Sequence, residues 1–324
     1  MSRTIVVIGA TGAQGGGLAR AILSDSKSAF DVRAVTRNAA SDKARELRRL
    51  GAEVAEANLD DLDSLKRAFA GAYGAYCVTN FWEHFSPLKE VTQAANMAKA
   101  AKAAGVEHVI WSTLEDTRRW VPLDDDRMPT LMDNYKVPHF DGKAEGNREF
   151  TDRGVPTTLL LTSFYWENFT NPGSGPARGA DGVLAITMPM GDKKLPGIAV
   201  EDIGKCACGI FKRGREYVGQ TVGIAGEHLT GDELASAFSK AFGENVRYQD
   251  VPPDLFRQLG FPGAEDLGNM FQFKRDFNEY FCGVRNVAVA RELNPSLQSF
   301  EAWLARNGSK IPLDGSGAPP GGSE

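Results

Sequence analysis

The chain has 324 residues, of which 42% are hydrophobic, 24% charged and 9% aromatic, a composition that excludes a disordered or fibrous protein. Lysine and arginine number 37 against 42 aspartates and glutamates, a formal charge of −5, so no direct nucleic-acid contact is expected. Cys77, Cys206, Cys208 and Cys282 show neither metal-type spacing nor a disulfide framework, and no apolar run is long enough for a membrane span, so the expectation is a reduced, cytoplasmic protein with no bound metal and no membrane contact.

From Thr4 to about Leu161, short β-branched runs alternate with helical spacings, as βαβ units and a parallel sheet require. Strands are expected at Ile5–Ile8, Val32–Thr36, Glu53–Ala57, Ala75–Val78, His108–Ser112 and Thr157–Leu161. Between them, Leu62, Leu65, Ala68 and Phe69 share one helix face, with Asp61 or Asp63 at its N-terminus. After Leu161 the pattern shifts to Gly- and Pro-rich turns with short elements, including helices at Asp232–Phe242, capped by Thr230 ahead of Glu233, and at Leu297–Ala305. The fold class expected is α/β, a Rossmann-type doubly wound parallel sheet with a second, smaller α/β domain. Residues 1–160 form the first domain, with some later segments returning to it, 161–313 the smaller substrate or partner lobe, and 314–324 a flexible tail rich in Gly, Pro and Ser.

The strongest local signal is Ile5–Ile8 running into Gly9, Ala10, Thr11, Gly12, Ala13, Gln14 and Gly15, then a helical spacing through Leu18 and Ile22. In such a strand–turn–helix unit Gly9 permits the tight turn, Gly12 lets backbone approach a pyrophosphate, and Gly15 lets helix pack on strand. The second strand ends in Thr36-Arg37-Asn38, where an NAD-selective fold carries an acidic residue. An arginine there suits the 2′-phosphate of NADP(H), because its planar fork makes paired charged hydrogen bonds.

With those motifs the chain resembles the NmrA-like family, a branch of the atypical short-chain dehydrogenase/reductases, and within it most resembles the NADPH-binding redox sensors. The resemblance runs from Thr4 to about Leu313 and rests on Gly9 to Gly16, Val35 to Asn38, Gly51 to Val54, Val78 to Glu83, His139 to Lys143, Glu167-Asn168 and Leu259 to Ala264. It implies a cofactor cleft in which Thr11, Gly12, Ala13, Gln14 and Gly15 hold the phosphates and Arg37 with Asn38 holds the 2′-phosphate. Asn58 and Leu59 would flank adenine, and Thr79, Asn80 and Phe81 would line the ribose and nicotinamide side. Lys143 and the run Phe164, Tyr165, Trp166 would close around the nicotinamide. Asn58 stands where an acidic residue is expected, and Thr92 where the nearest members have lysine.

Short-chain reductases use a tyrosine, a lysine four residues later and a serine after the fifth strand, and the resemblance assigns these catalytic roles to His139, Lys143 and Ser112. Residues four apart share a helix face, and histidine titrates near neutrality, so His139 is either a general acid or a residue that only packs against the cofactor. Phe81-Trp82 and Tyr165-Trp166 are either an aromatic pocket or core. The long connection Glu115–Val137 reads as a lid or a disordered loop, and its Asp124–Asp126 run as a solvated acidic surface. Two functions follow: an NADP(H)-binding redox sensor acting through conformational or association change, with a regulatory protein partner or a homodimer, or an NADPH-dependent reductase of small carbonyl, quinone or imine substrates.

Overall fold

In a computed structural model, which describes residues 2–313, the strand β1 (Arg3–Val7) lies at the centre of a sheet, with Ile5, Val6 and Val7 wholly buried. It pairs in parallel with β2 (Phe30–Thr36) on one side and β4 (Gly74–Cys77) on the other. Beyond β2 lies β3 (Glu53–Glu56), and beyond β4 follow β5 (His108–Thr113), β6 (Thr157–Leu161) and β11 (Thr221–Gly223). All these pairings are parallel. The chain builds outward from β1 to β3 and then crosses back to β4, so the order reverses between β1 and β4 and leaves a crevice at their C-terminal ends.

The period of two along the strands divides the core. Ile5, Val7, Tyr76, Ile110 and Leu160 face α1 (Ala13–Leu23), α2 (Asp42–Arg49) and α6 (Val200–Arg213). Val6, Ala75, Cys77, Val109 and Trp111 face α3 (Leu62–Phe69), α4 (Pro87–Ala104) and α5 (Pro138–Thr151). Helix α6 lies tight on α1 because Gly204 meets Gly17: a Cβ on Gly204 would fall 2.1 Å from Leu18 N.

The second region holds two small sheets. One joins β7 (Phe164–Tyr165), β10 (Leu195–Ile198) and β12 (Glu227–Leu229); the other joins β8 (Ala177–Arg178), β9 (Leu184–Met188) and β13 (Val246–Asp250). Helices α7 (Gly231–Phe242), α8 (Pro253–Arg257), α9 (Ala264–Asp276), α10 (Asn278–Val284), α11 (Val287–Leu293) and α12 (Phe300–Asn307) follow. Trp166, Phe169, Phe238, Phe300 and Trp303 form much of its core. Since β11 and α6 return to the central sheet, the two regions are interleaved in sequence.

The strand expected at Thr157–Leu161 coincides with β6, while β1 and β2 start two residues earlier than periodicity suggests, because Arg3, Phe30 and Asp31 still pair with neighbours. Asp61, not Asp63, caps α3 by accepting the N–H groups of Asp63 and Ser64. Thr230 and Glu233 form a reciprocal capping box on α7. The helix expected from Leu297 begins at Phe300, since the Ser299 hydroxyl accepts the Ala302 N–H and caps it there. The tail expectation for 314–324 lies outside the described residues.

The Glu115–Val137 connection is a packed segment, not the loose loop its length suggests. Asp141, buried in the first turn of α5, accepts Thr117 N and Oγ1, both at 2.7 Å, Lys136 N at 2.9 Å and Val137 N at 3.1 Å. Burial pushes the Asp141 carboxyl up to about 6, against the pull of those four donors. From α9, Asn269 and Gln272 donate to the carbonyls of Lys136 and Arg127. Among the described residues no helix is long and apolar enough to cross a membrane.

Candidate functional site

The glycine turn sits at the β1 end of the crevice. Gly9 has φ +64°, and a Cβ on Gly15 would lie 2.5 Å from Ile8 O and 2.6 Å from Gly9 O, so only glycine lets α1 start this close to the strand. No side chain caps α1 and no acidic residue occupies its first turn, which leaves amides and helix dipole for an anion. Thr11 and Ala13 are partly exposed there. Gln14 departs from its expected place: its side chain turns under the loop, where Oε1 accepts from Tyr76 and from Ser112 Oγ at 2.8 Å, and Nε2 donates to Tyr165.

At the end of β2, Arg37 and Asn38 are exposed, and the Arg37 guanidinium is paired with Glu83 in the short turn Phe81–Glu83 after β4. Asn58 is exposed after β3, its side chain accepting the Asp60 N–H at 3.0 Å, and Leu59 is half-buried beside it.

Across the crevice, Lys143 on α5 donates to Thr79 O and Thr79 Oγ1, each at 2.9 Å, and lies 3.1 Å from Glu90 Oε2. Burial raises the Glu90 carboxyl, but the Lys143 charge and hydrogen bonds from His84, Thr79 and Lys143 outweigh it and leave the group below its ordinary value. Asn80 Oδ1 next door is buried without a hydrogen-bond partner among the described residues, an unmet acceptor at the strand end. Phe81 is fully buried and packs on Trp82, His84, Phe85 and His139; its ring is core.

His139, one turn before Lys143, is 3% exposed and holds Asp266 of α9 through Nδ1 at 2.6 Å. Trp82 leans on its ring with centroids 4.9 Å apart. Ser112 does not join this pair. The pleat sends Ser112 to the α1 face with Gln14 and sends Thr113 to the α5 face, where Thr113 Oγ1 donates to Lys143 O and Asn147 Oδ1. The expected triad of Ser112, His139 and Lys143 is therefore split by the sheet.

Between the crevice and the second region lies a cavity of about 220 Å³ whose walls include Trp82, His139, Phe164, Tyr165, Phe271 and Lys274. Of the aromatic residues singled out in the sequence, Trp82, Phe164 and Tyr165 line it. Trp166 does not: it turns into the second core against Phe300 and Trp303, and a Cβ on Gly197 would strike its indole at 2.2 Å. Lys274 was missed by motif reading. A lysine whose neighbours at −4, −3, +3 and +7 are Met270, Phe271, Phe277 and Phe281 interrupts an apolar helix face, and that is the signal available in the sequence.

A glycine turn at the switch point of a parallel sheet, with a mainly apolar, partly open cavity nearby, defines a doubly wound α/β protein with a nucleotide-type crevice. The chain belongs to the NmrA-like family, which matches residues 1–304. It is 30% identical over 296 residues to the NmrA-like family domain-containing oxidoreductase FrzB of Cladobotryum sp, covering 84% of each chain. It is also 30% identical over 307 residues to the oxidoreductase hkm9 of Aspergillus hancockii, covering 89% of each. Among solved structures it resembles NmrA, a negative transcriptional regulator, in complex with NADP, at 24% identity and TM-score 0.75 over 94% of both chains. The Citrobacter sp. triphenylmethane reductase complexed with NADP(H) matches at 20% identity and TM-score 0.73, over 94% of this chain and 99% of that one.

Proposed function

We propose that this protein binds NADP(H) in the β1/β4 crevice and reduces a hydrophobic carbonyl, quinone or imine compound held in the adjoining cavity. The observation that carries this reading is the cavity itself, about 220 Å³ and walled by aromatic rings together with His139, since it offers a hydrophobic compound a place beside a histidine that can pass it a proton. The glycine turn, the unmet acceptor on Asn80 and the arginine at the end of β2 suit an NADP(H) cofactor, which supplies the hydride. Arg37 exchanges Glu83 for the 2′-phosphate, and Lys143, its ammonium held by Thr79 and Glu90, braces the end of β4 on which Asn80 stands. His139, oriented by Asp266, supplies the proton to the substrate. The oxidoreductase names of the fungal relatives agree with this chemistry.

The redox-sensor reading has one observation in its favour. Arg37 is tied to Glu83 in the same short turn whose Phe81 and Trp82 pack on His139, so a 2′-phosphate that took Arg37 would release that turn. Calorimetric titration with NADPH, NADP, NADH and NAD, followed by NADPH oxidation against a carbonyl, quinone and imine panel, separates the two. Selective NADPH binding with turnover establishes the reductase; selective binding with none across the panel removes it in favour of the sensor.

A further inference from the structure

Lys274 is 3% exposed and lies on the inner face of α9, between Phe271 and Phe277. Its ammonium nitrogen is 5.4 Å from the ring centroid of Phe281, 5.5 Å from Phe271, 5.7 Å from Phe140 and 5.8 Å from Phe164. Its one hydrogen-bond acceptor among the described residues is Met270 Sδ at 3.2 Å, and a thioether accepts only weakly. Glu115 is committed elsewhere, held by Arg285 at 2.6 and 3.0 Å. A residue kept only for packing would serve better as leucine or methionine, because burying a cation without an anion is costly. The side chain lines the cavity described above, and so does Asn168, whose Oδ1 is also buried without a partner.

We infer that this cavity is a binding site for a flat hydrophobic compound bearing an anionic oxygen, a carboxylate or a phenolate, and that Lys274 is the residue that pairs with that oxygen. The aromatic walls take the apolar body, and the ring faces around Lys274 hold its charge while no ligand is bound. A donor on the ligand, such as a ring hydroxyl, meets Asn168 Oδ1. Burial and the Arg285 charge bring the Lys274 amine down to about 7, with Glu115 opposing, so the arriving anion also stabilises the protonated form. The inference rests on the reductase reading only in treating that compound as a substrate; the binding itself does not require turnover.

The test is a fluorescence or calorimetric titration of 2-naphthoate and of its uncharged analogue 2-ethylnaphthalene, using wild type, Lys274→Met and Lys274→Arg. The wild type is expected to prefer 2-naphthoate by at least about tenfold, the worth of a charged hydrogen bond. Lys274→Met abolishes the preference and Lys274→Arg retains part of it, with NADPH affinity unchanged in both. The wild-type preference fades between about pH 6 and about pH 9 as the amine loses its proton. The charged groups near it are Arg285 and Glu115, paired with each other, and His139 at the cavity wall with Asp266 behind it. A preference, or a pH dependence, that survives in Lys274→Met belongs to those groups and overturns the assignment. If Lys274-dependent binding is found and no panel compound is reduced, the anion site stands and the reductase reading falls.

Discussion

His139 Nδ1 lies 2.6 Å from Asp266 Oδ1, and the other oxygen of that carboxylate accepts the His139 backbone N–H at 3.2 Å. The two residues are 127 positions apart, so this double contact ties α5, at the edge of the crevice, to α9 of the second region. It holds the imidazole in one orientation beside the cavity. Asp266→Asn keeps the size but removes the charge. On the reductase reading it lowers kcat by roughly 10- to 100-fold with little change in NADPH affinity, by analogy with the orienting partners of ligating histidines. Steady-state kinetics with matched NADPH titrations check this, and an unchanged kcat contradicts the role of His139 as proton donor.

Arg37 and Glu83 face each other across the crevice rim, both largely exposed. If Arg37 receives the 2′-phosphate, Glu83 competes for it. Arg37→Ala should weaken NADPH binding by roughly 10- to 100-fold and leave NADH binding nearly unchanged. Glu83→Gln should tighten NADPH binding by a few-fold at most, the scale of an exposed ion pair. Equal losses for NADPH and NADH in Arg37→Ala would exclude the 2′-phosphate role.

Asp141 accepts four hydrogen bonds from the segment between β5 and α5. Asparagine offers one acceptor oxygen and sets an N–H₂ against donors, so Asp141→Asn should cost about 2–4 kcal/mol of stability. Limited proteolysis should find new cleavage within 115–137, while urea unfolding reads the stability loss.

Lys274 makes a pH prediction of definite sign. Its amine titrates at about 7 when folded, against 10.5 for the free side chain, so between those values the unfolded chain binds more protons. Stability therefore rises with pH from about 7 toward 10.5 as far as this group is concerned. Lys274→Met removes the rise and stabilises the protein near neutrality by about 1–4 kcal/mol, as replacing buried charge by apolar side chains does. Urea midpoints at neutral and alkaline pH, for both proteins, decide it.

Local signals made much of the fold legible. The β-branched runs and the Gly9–Gly15 turn are short-range features, since a strand needs its own side-chain period and a tight turn needs its own glycines. Thr230 with Glu233 was readable for the same reason, being a contact three residues apart. The start of α12 was not, because the apolar face begins at Leu297 and the cap that overrides it is Ser299.

The side-chain assignments divided differently. His139 and Lys143 share a helix face through their spacing alone, but whether Ser112 faced them depended on which side of the pleat it took, and its bond to Gln14 shows it took the other. Trp166 likewise looks equivalent to Phe164 and Tyr165 in sequence, yet only the packing of Phe300 and Trp303, more than a hundred residues later, draws it into the core.

By itself the sequence determined the doubly wound framework, the phosphate-type turn and the arginine at the end of β2, all encoded within windows of a few residues. Only the tertiary structure decided what stands in the cavity. Lys274 reaches it, and Asp266 reaches His139 at its wall, from a helix more than a hundred residues past α5, and a buried charge acquires its meaning from neighbours that the chain brings together only on folding.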